Sequence, residues 1–161
     1  MWQELATNLA NLIKEYQSLH EINERKHSAL VRVSMEDLDA VLKEEGTAQG
    51  KVAKLEQERQ AVIKKAMAEN PKLKPEMKLV EMIALCPSQK AAEKLTKLHK
   101  LLLNEVDKVQ KLVDDNNFLT QAALDAVQFR LNQLTGAEVQ GGYGNTGGET
   151  VSHEKNFDFK A

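Results

Sequence analysis

The stretch Trp2-Gln3-Glu4-Leu5-Ala6-Thr7-Asn8-Leu9-Ala10-Asn11-Leu12-Ile13-Lys14-Glu15-Tyr16-Gln17-Ser18-Leu19 decides the fold class. Trp2, Leu5, Leu9, Leu12, Tyr16 and Leu19 recur at alternating steps of three and four. That rhythm keeps all six on one side of a helix, as in the a/d seam of a coiled coil. Ile22 and Leu30 extend the seam, and polar residues fill the positions between. A helix with one apolar stripe must bury it against other helices.

Downstream, the same rhythm returns. Ser34 stands three residues before Asp37, in the manner of a capping box, so a second helix can start there or one long helix can run through. Leu38, Val41, Glu45, Ala48, Val52, Leu55, Arg59, Val62 and Ala66 continue the three–four spacing. Glu45 and Arg59 are weak core residues. Gly46 and Gly50 each cost a helix about 1 kcal/mol against Ala, which predicts a segment that is helical but locally soft and bent. Asn70-Pro71 ends it. Pro75 suits the first turn of a short apolar helix holding Met77, Leu79, Val80, Met82, Ile83 and Leu85, a plug for one end of a bundle.

Ser88 is placed to cap the last long helix, with a seam of Ala91, Leu95, Leu98, Leu102, Val106, Val109 and Val113, then Leu119, Ala123, Val127 and Leu134. Uninterrupted to Thr135, it would be about 70 Å long. The turn-prone run Asp114 to Asn117 is a point where it could break, and Gly136 is suited to cap its C-terminus. The predicted fold is all-α: an elongated antiparallel helical bundle of long coiled-coil helices, with a short connecting helix. It divides into a bundle over residues 1–136 and a flexible Gly-rich tail over 137–161. Of one Trp, two Tyr and four Phe, that tail holds Tyr143, Phe157 and Phe159, apolar points on a segment with little else to bury.

Composition agrees. Aromatic residues are 4% and charged residues 29% of the chain, the balance of thin helical seams and not of a wide core. Acids and bases are interspersed and the net charge is −2, so neither nucleic acid nor a polycation is the implied partner. The single cysteine, Cys86, cannot pair within the chain and fits a reducing, cytoplasmic setting. Met1 to Leu5 offers no basic region followed by an apolar core, so no secretory signal is expected, and no apolar run approaches a bilayer span.

The chemistry of catalysis is not legible. His20 and Glu24 lie four apart on one helical face, but no third or fourth ligand accompanies them, so a solvated polar face outweighs a metal site. Cys86, between Leu85 and Pro87, reads as a structural thiol. The Gly141 to Gly148 run lacks the strand and helix that frame a phosphate loop. No enzyme activity, metal or cofactor is expected. Lys90, Lys94, Lys97, Lys100, Lys108 and Lys111 make the last helix basic; a solvated face neutralised by Glu93 and Glu105 outweighs a phosphate-binding stripe.

Phe118 to Leu134 carries more apolar residues than one seam requires, since Phe118, Leu119, Ala122, Ala123, Leu124, Ala126, Val127, Phe129, Leu131 and Leu134 cover more than one face. Two readings stay open: packing against two neighbouring helices, or a groove for an amphipathic partner helix.

Four places resemble the FlgN family of flagellar export chaperones. They are Ala29-Leu30 with Met35-Glu36-Asp37-Leu38, Lys43 and Leu55 to Arg59; Asn116-Asn117-Phe118-Leu119; Tyr143-Gly144-Asn145-Thr146-Gly147; and Phe157-Asp158-Phe159-Lys160-Ala161. The sequence departs from the family at Asn117-Phe118, where a charged residue is common. The resemblance implies a helical chaperone of the hook–filament junction proteins FlgK and FlgL that blocks their premature assembly and hands them to the type III export gate. It makes Phe118, Leu119, Ala123, Val127, Leu131 and Leu134 candidates for client contact, and Tyr143 the candidate docking point for the export-gate protein FlhA. The alternative is a coiled-coil adaptor unrelated to export, a homodimer formed through the Leu5 to Leu19 seam.

Overall fold

The computed structural model describes residues 1–136, 138–140 and 150–152. Four helices come first: α1 (Trp2–Arg32), α2 (Met35–Glu69), α3 (Leu79–Ala84) and α4 (Gln89–Thr135). Two short strands follow, β1 (Glu138–Gln140) and β2 (Thr150–Ser152). The chain divides into two compact units, Met1–Asn116 and Asn117–Ala161.

In the first unit, α1 and α2 form an antiparallel hairpin whose register is set by cross-links along its length. Asn8 Nδ2 donates to the Leu55 carbonyl at 2.8 Å, Lys26 Nζ meets Glu45 Oε2 at 2.8 Å, and Arg32 reaches Asp37 at 3.2 Å. The turn between them is tight. Val33 adopts the left-handed conformation (φ 55°, ψ 40°), and the Ser34 N–H returns to the Ala29 carbonyl at 3.0 Å, a Schellman closure. A β-branched residue pays about 1–2 kcal/mol for that conformation. The break near Ser34 is therefore real, and its cause is backbone closure. Ser34 occupies the N-cap position but makes no side-chain cap bond, so the expected capping box is absent.

The first half of α4 lies along α1 in the same direction and so runs opposite to α2. Leu95 and Leu102 join Leu5, Leu9, Leu12 and Ile13 in one core cluster, and Val109 joins Leu19, Ile22, Val41 and Ala48 in the next. Asn116 lies beside Asn23 at the far end. The Leu5 to Leu19 seam, which a homodimer would have used, is thus buried inside this chain; Leu9 and Leu12 have no exposed surface.

The apolar plug forms over a shorter span than its proline suggests. α3 starts at Leu79 and not at Pro75, because the segment before it is spent in turns, with Leu73 N–H bonded to Asn70 O and Met77 N–H to Lys74 O. The Glu81 carboxylate accepts the Lys78 N–H at 2.7 Å and closes its first turn. Ala66, Leu73 and Met82 bury one another there, with Met1, Ile63, Met67, Met77 and Leu85 around them.

Both long helices run unbroken through their weakest stretches of sequence. α2 is continuous through Gly46 and Gly50, where nothing lies within 4 Å of an added Cβ. α4 is continuous through Asp114 to Asn117. Ser88 Oγ accepts the Ala91 N–H at 3.4 Å at its start, and Gly136 takes a positive φ of 66° just past its end.

The second unit contains the rest of α4 and the strand pair. β1 and β2 are antiparallel, with Glu138 opposite Ser152, Val139 opposite Val151 and Gln140 opposite Thr150. These six residues fall in the segment read from sequence as a flexible tail. Val139, Val151 and Thr150 are strand formers, and three residues a side suffice for a ladder that composition alone does not reveal. Tyr143, Phe157 and Phe159 lie outside the described residues.

Candidate functional site

The polar residues that interrupt the seams of the first unit are paired or clustered. Glu45 is buried against Lys26, and Glu105 is buried with Lys108 at 2.9 Å. Arg59 Nε bonds Glu56 at 2.8 Å, close to Tyr16 and His99. Burial, then the Glu56 carboxylate, pushes the Tyr16 phenol up from its ordinary value. Burial, reinforced by the Arg59 guanidinium, holds the His99 imidazole below its ordinary value. The seam positions that look weak in sequence, Glu45 and Arg59, are thus each hydrogen-bonded to an oppositely charged partner, which is what a low-dielectric setting requires.

A second polar cluster sits where the first unit ends. Asn116 is fully buried; its Nδ2 donates to the Asn23 carbonyl at 3.0 Å, and its Oδ1 accepts from His27 Nδ1 at 3.0 Å. Asn23, also fully buried, donates to the Leu19 carbonyl. The asparagine noted in the sequence as a turn former therefore fastens α4 to α1 from inside a helix.

Beyond Asn116 the character of α4 reverses. Residues 121–131 are all exposed. The large apolar side chains there are open: Phe118 (73% exposed), Leu124, Val127, Phe129, Leu131 and Leu134 (82%). Packing against two neighbouring helices, one of the two readings of this stretch, is not what the structure has.

At about 100° per residue, Leu119, Ala123, Val127, Leu131 and Leu134 share one face, with Leu124 on its edge. Leu119 is half-buried and the other four are exposed. Phe118 does not belong with them. It projects from the opposite side, together with Phe129 and Ala122. The six candidate residues therefore make one stripe of five and a separate aromatic pair that includes Phe129. Leu124 and Phe129 complete these surfaces and follow from the same periodicity. Polar residues separate the stripes along one edge, where Gln121 bonds Asp125 at 2.8 Å and Gln128 bonds Asn132 at 2.9 Å. A single helix cannot itself form a groove; it offers an apolar ridge that a partner must wrap or flank.

The other candidates belong to the first unit. His20 is 3.9 Å from Glu24, as their spacing expects, and no cluster of three His, Cys, Asp or Glu side chains suited to a metal occurs among the described residues. Cys86 is half-buried. The open cleft of about 680 Å³ beside the α1–α2 turn is lined by Glu21 and Glu24 and by two arginines already paired, Arg32 with Asp37 and Arg25 with Glu44.

The family model described as "FlgN protein" matches residues 1–150. The chain belongs to the FlgN family. The match includes α1 to α4 and the Tyr143-Gly144 segment, and stops short of the Phe157 to Ala161 ending. No curated protein matches this FlgN-family chain, and no solved structure matches it. FlgN membership supports a flagellar export chaperone role and binding to flagellar export substrates as a class. Within the FlgN chain, no described helix is long and apolar enough to cross a membrane.

Proposed function

We propose that this chain is a cytoplasmic, non-enzymatic export chaperone that holds the hook–filament junction proteins FlgK and FlgL, prevents their premature assembly, and delivers them to the flagellar type III export gate. The observation that carries the proposal is the exposed apolar stripe of α4, Leu119, Ala123, Val127, Leu131 and Leu134, in a chain of the FlgN family. An unassembled client that exposes an apolar helical face would cover this stripe, each Å² removed from water contributing about 25 cal/mol. Phe118 and Phe129, on the other side, would be reached by a client that wraps the helix. Tyr143 is the proposed docking point for FlhA, separated in sequence from the stripe so that both can be engaged together.

Calorimetric titration with C-terminal fragments of FlgK and FlgL tests this reading. Tight one-to-one binding is expected, lost in Leu119→Asp and Val127→Asp and kept in Tyr143→Ala. Tyr143→Ala should instead weaken binding to the cytoplasmic part of FlhA. Absence of fragment binding by a folded protein refutes the junction-protein assignment.

A further inference from the structure

The lysines of the first half of α4 are not neutralised as their sequence neighbours suggest. Glu105 takes only Lys108, and Glu93 accepts a hydrogen bond from Gln89 at 3.3 Å and reaches no lysine. Lys90, Lys94, Lys97, Lys100 and Lys111 are exposed and have no carboxylate within 4 Å among the described residues. A solvated face laced with ion pairs is therefore not what this surface is.

Their arrangement is ordered. Lys90, Lys94, Lys97, Leu101, Asn104, Lys108 and Lys111 follow one another at alternating steps of four and three, a second heptad seam on the solvent side of α4, with Lys100 beside it. It runs for about 32 Å at 1.5 Å per residue. Near its middle is one exposed apolar side chain, Leu101 (43%); Leu103, about 200° further round the helix, projects from another side. We propose that this seam docks an acidic amphipathic helix of a partner protein, one that places Glu or Asp at matching heptad positions around a central apolar residue. It does not depend on the chaperone reading above.

Geometry and charge select that occupant. A helix laid along the seam presents a carboxylate about every 5 Å, one per lysine. An anionic bilayer is broader than the seam and would also face Glu93 and Asp107 on its flank and Asp115 at its end, where like charges repel. Single-stranded nucleic acid would gain little stacking, because no Phe, Tyr or Trp lies between Lys90 and Lys111 and His99 is half-buried. The contact would be salt-sensitive and would raise association rate and specificity more than affinity.

The test uses the full chain and a labelled synthetic helix of about four heptads with Glu at each a and d position around one central Leu, followed by fluorescence anisotropy at about 50 mM and about 200 mM salt. The same helix with Gln for Glu is the control. The Glu helix should bind at the lower salt, and the Gln helix about tenfold or more weakly. Lys94→Glu/Lys97→Glu/Lys111→Glu should lose about tenfold or more while keeping its circular dichroism and Tm, because all three side chains are exposed and unpaired. If that reversal disturbs folding, the Lys→Gln triple variant supplies the same comparison. Leu119→Asp should leave the Glu-helix affinity unchanged. Equal binding of Glu and Gln helices, or of wild type and triple variant, overturns the proposal. So does variant-sensitive binding to phosphatidylserine vesicles or duplex DNA without binding to the Glu helix.

Discussion

Leu5 to Leu19 on α1 and Leu119 to Leu134 on α4 are built alike, yet the first set is buried and the second is mostly open to solvent. Both are apolar stripes at helical spacing, and both lie on long continuous helices. The difference is in their neighbours. Leu9 and Leu12 face α2 and α4 across a core cluster, whereas the described residues of the second unit include no other helix to lay against Val127 or Leu131. Periodicity says that a face must be covered. It does not say whether the cover comes from the same chain, and in the second unit the described residues leave the stripe mostly uncovered.

Substitutions can break this contrast. The largest effect is expected at the closed end of it. Leu9→Ala should destabilise the fold by about 2–5 kcal/mol in urea unfolding, since it opens a cavity at a fully buried site. An effect below about 1 kcal/mol would mean that the seam is not the core.

Next comes the junction between the two behaviours. Asn116→Ala removes the donor to Asn23 O and the acceptor for His27, leaving buried polar groups unsatisfied, and should cost about 1–3 kcal/mol. Hydrogen exchange should show the loss around Asn23 and Asn116. Uniform slowing or no change would contradict a fastening role.

The His99 position sharpens the comparison through pH. Its folded value is depressed, so the unfolded chain binds its proton more readily. That contribution is present above the unfolded value of about 6.5 and is lost as pH falls through it toward the folded value. The Tm of the wild type should therefore fall more steeply below about pH 6.5 than that of His99→Gln. Parallel Tm–pH curves would remove His99 as the cause.

The smallest effect belongs to the open stripe. Val127→Ser, at a side chain 56% exposed, should change stability by no more than about 0.5 kcal/mol while weakening client binding. A large loss of stability would show that this face packs within the chain after all.

Much of the fold was legible before any coordinates. The seam of α1, the ends at Asn70-Pro71 and Gly136, the cap at Ser88 and the plug formed by α3 all follow from residue spacing and local backbone preference. Some details differ. Ser34 makes no side-chain cap bond and Pro75 lies among local turns ahead of α3, whereas Asp114 to Asn117 carry a local preference that longer-range contacts override. In the case of Asn116, a turn-forming side chain finds its partners on α1, 93 residues away in sequence. For the candidate site, the residues were legible but their grouping was not, because Phe118 and Leu119 adjoin in sequence and diverge by about 100° around the helix. The Lys90 to Lys111 seam was visible as a charge pattern, and only the coordinates showed that Glu93 does not neutralise it.

The sequence by itself determined that these segments are helices, where most of them end, and that several faces of them demand cover. Tertiary structure alone decided which faces obtained it within the chain. The reason is physical: helix periodicity is a local property of a few consecutive residues, whereas burial and pairing depend on which distant segments the chain can bring alongside.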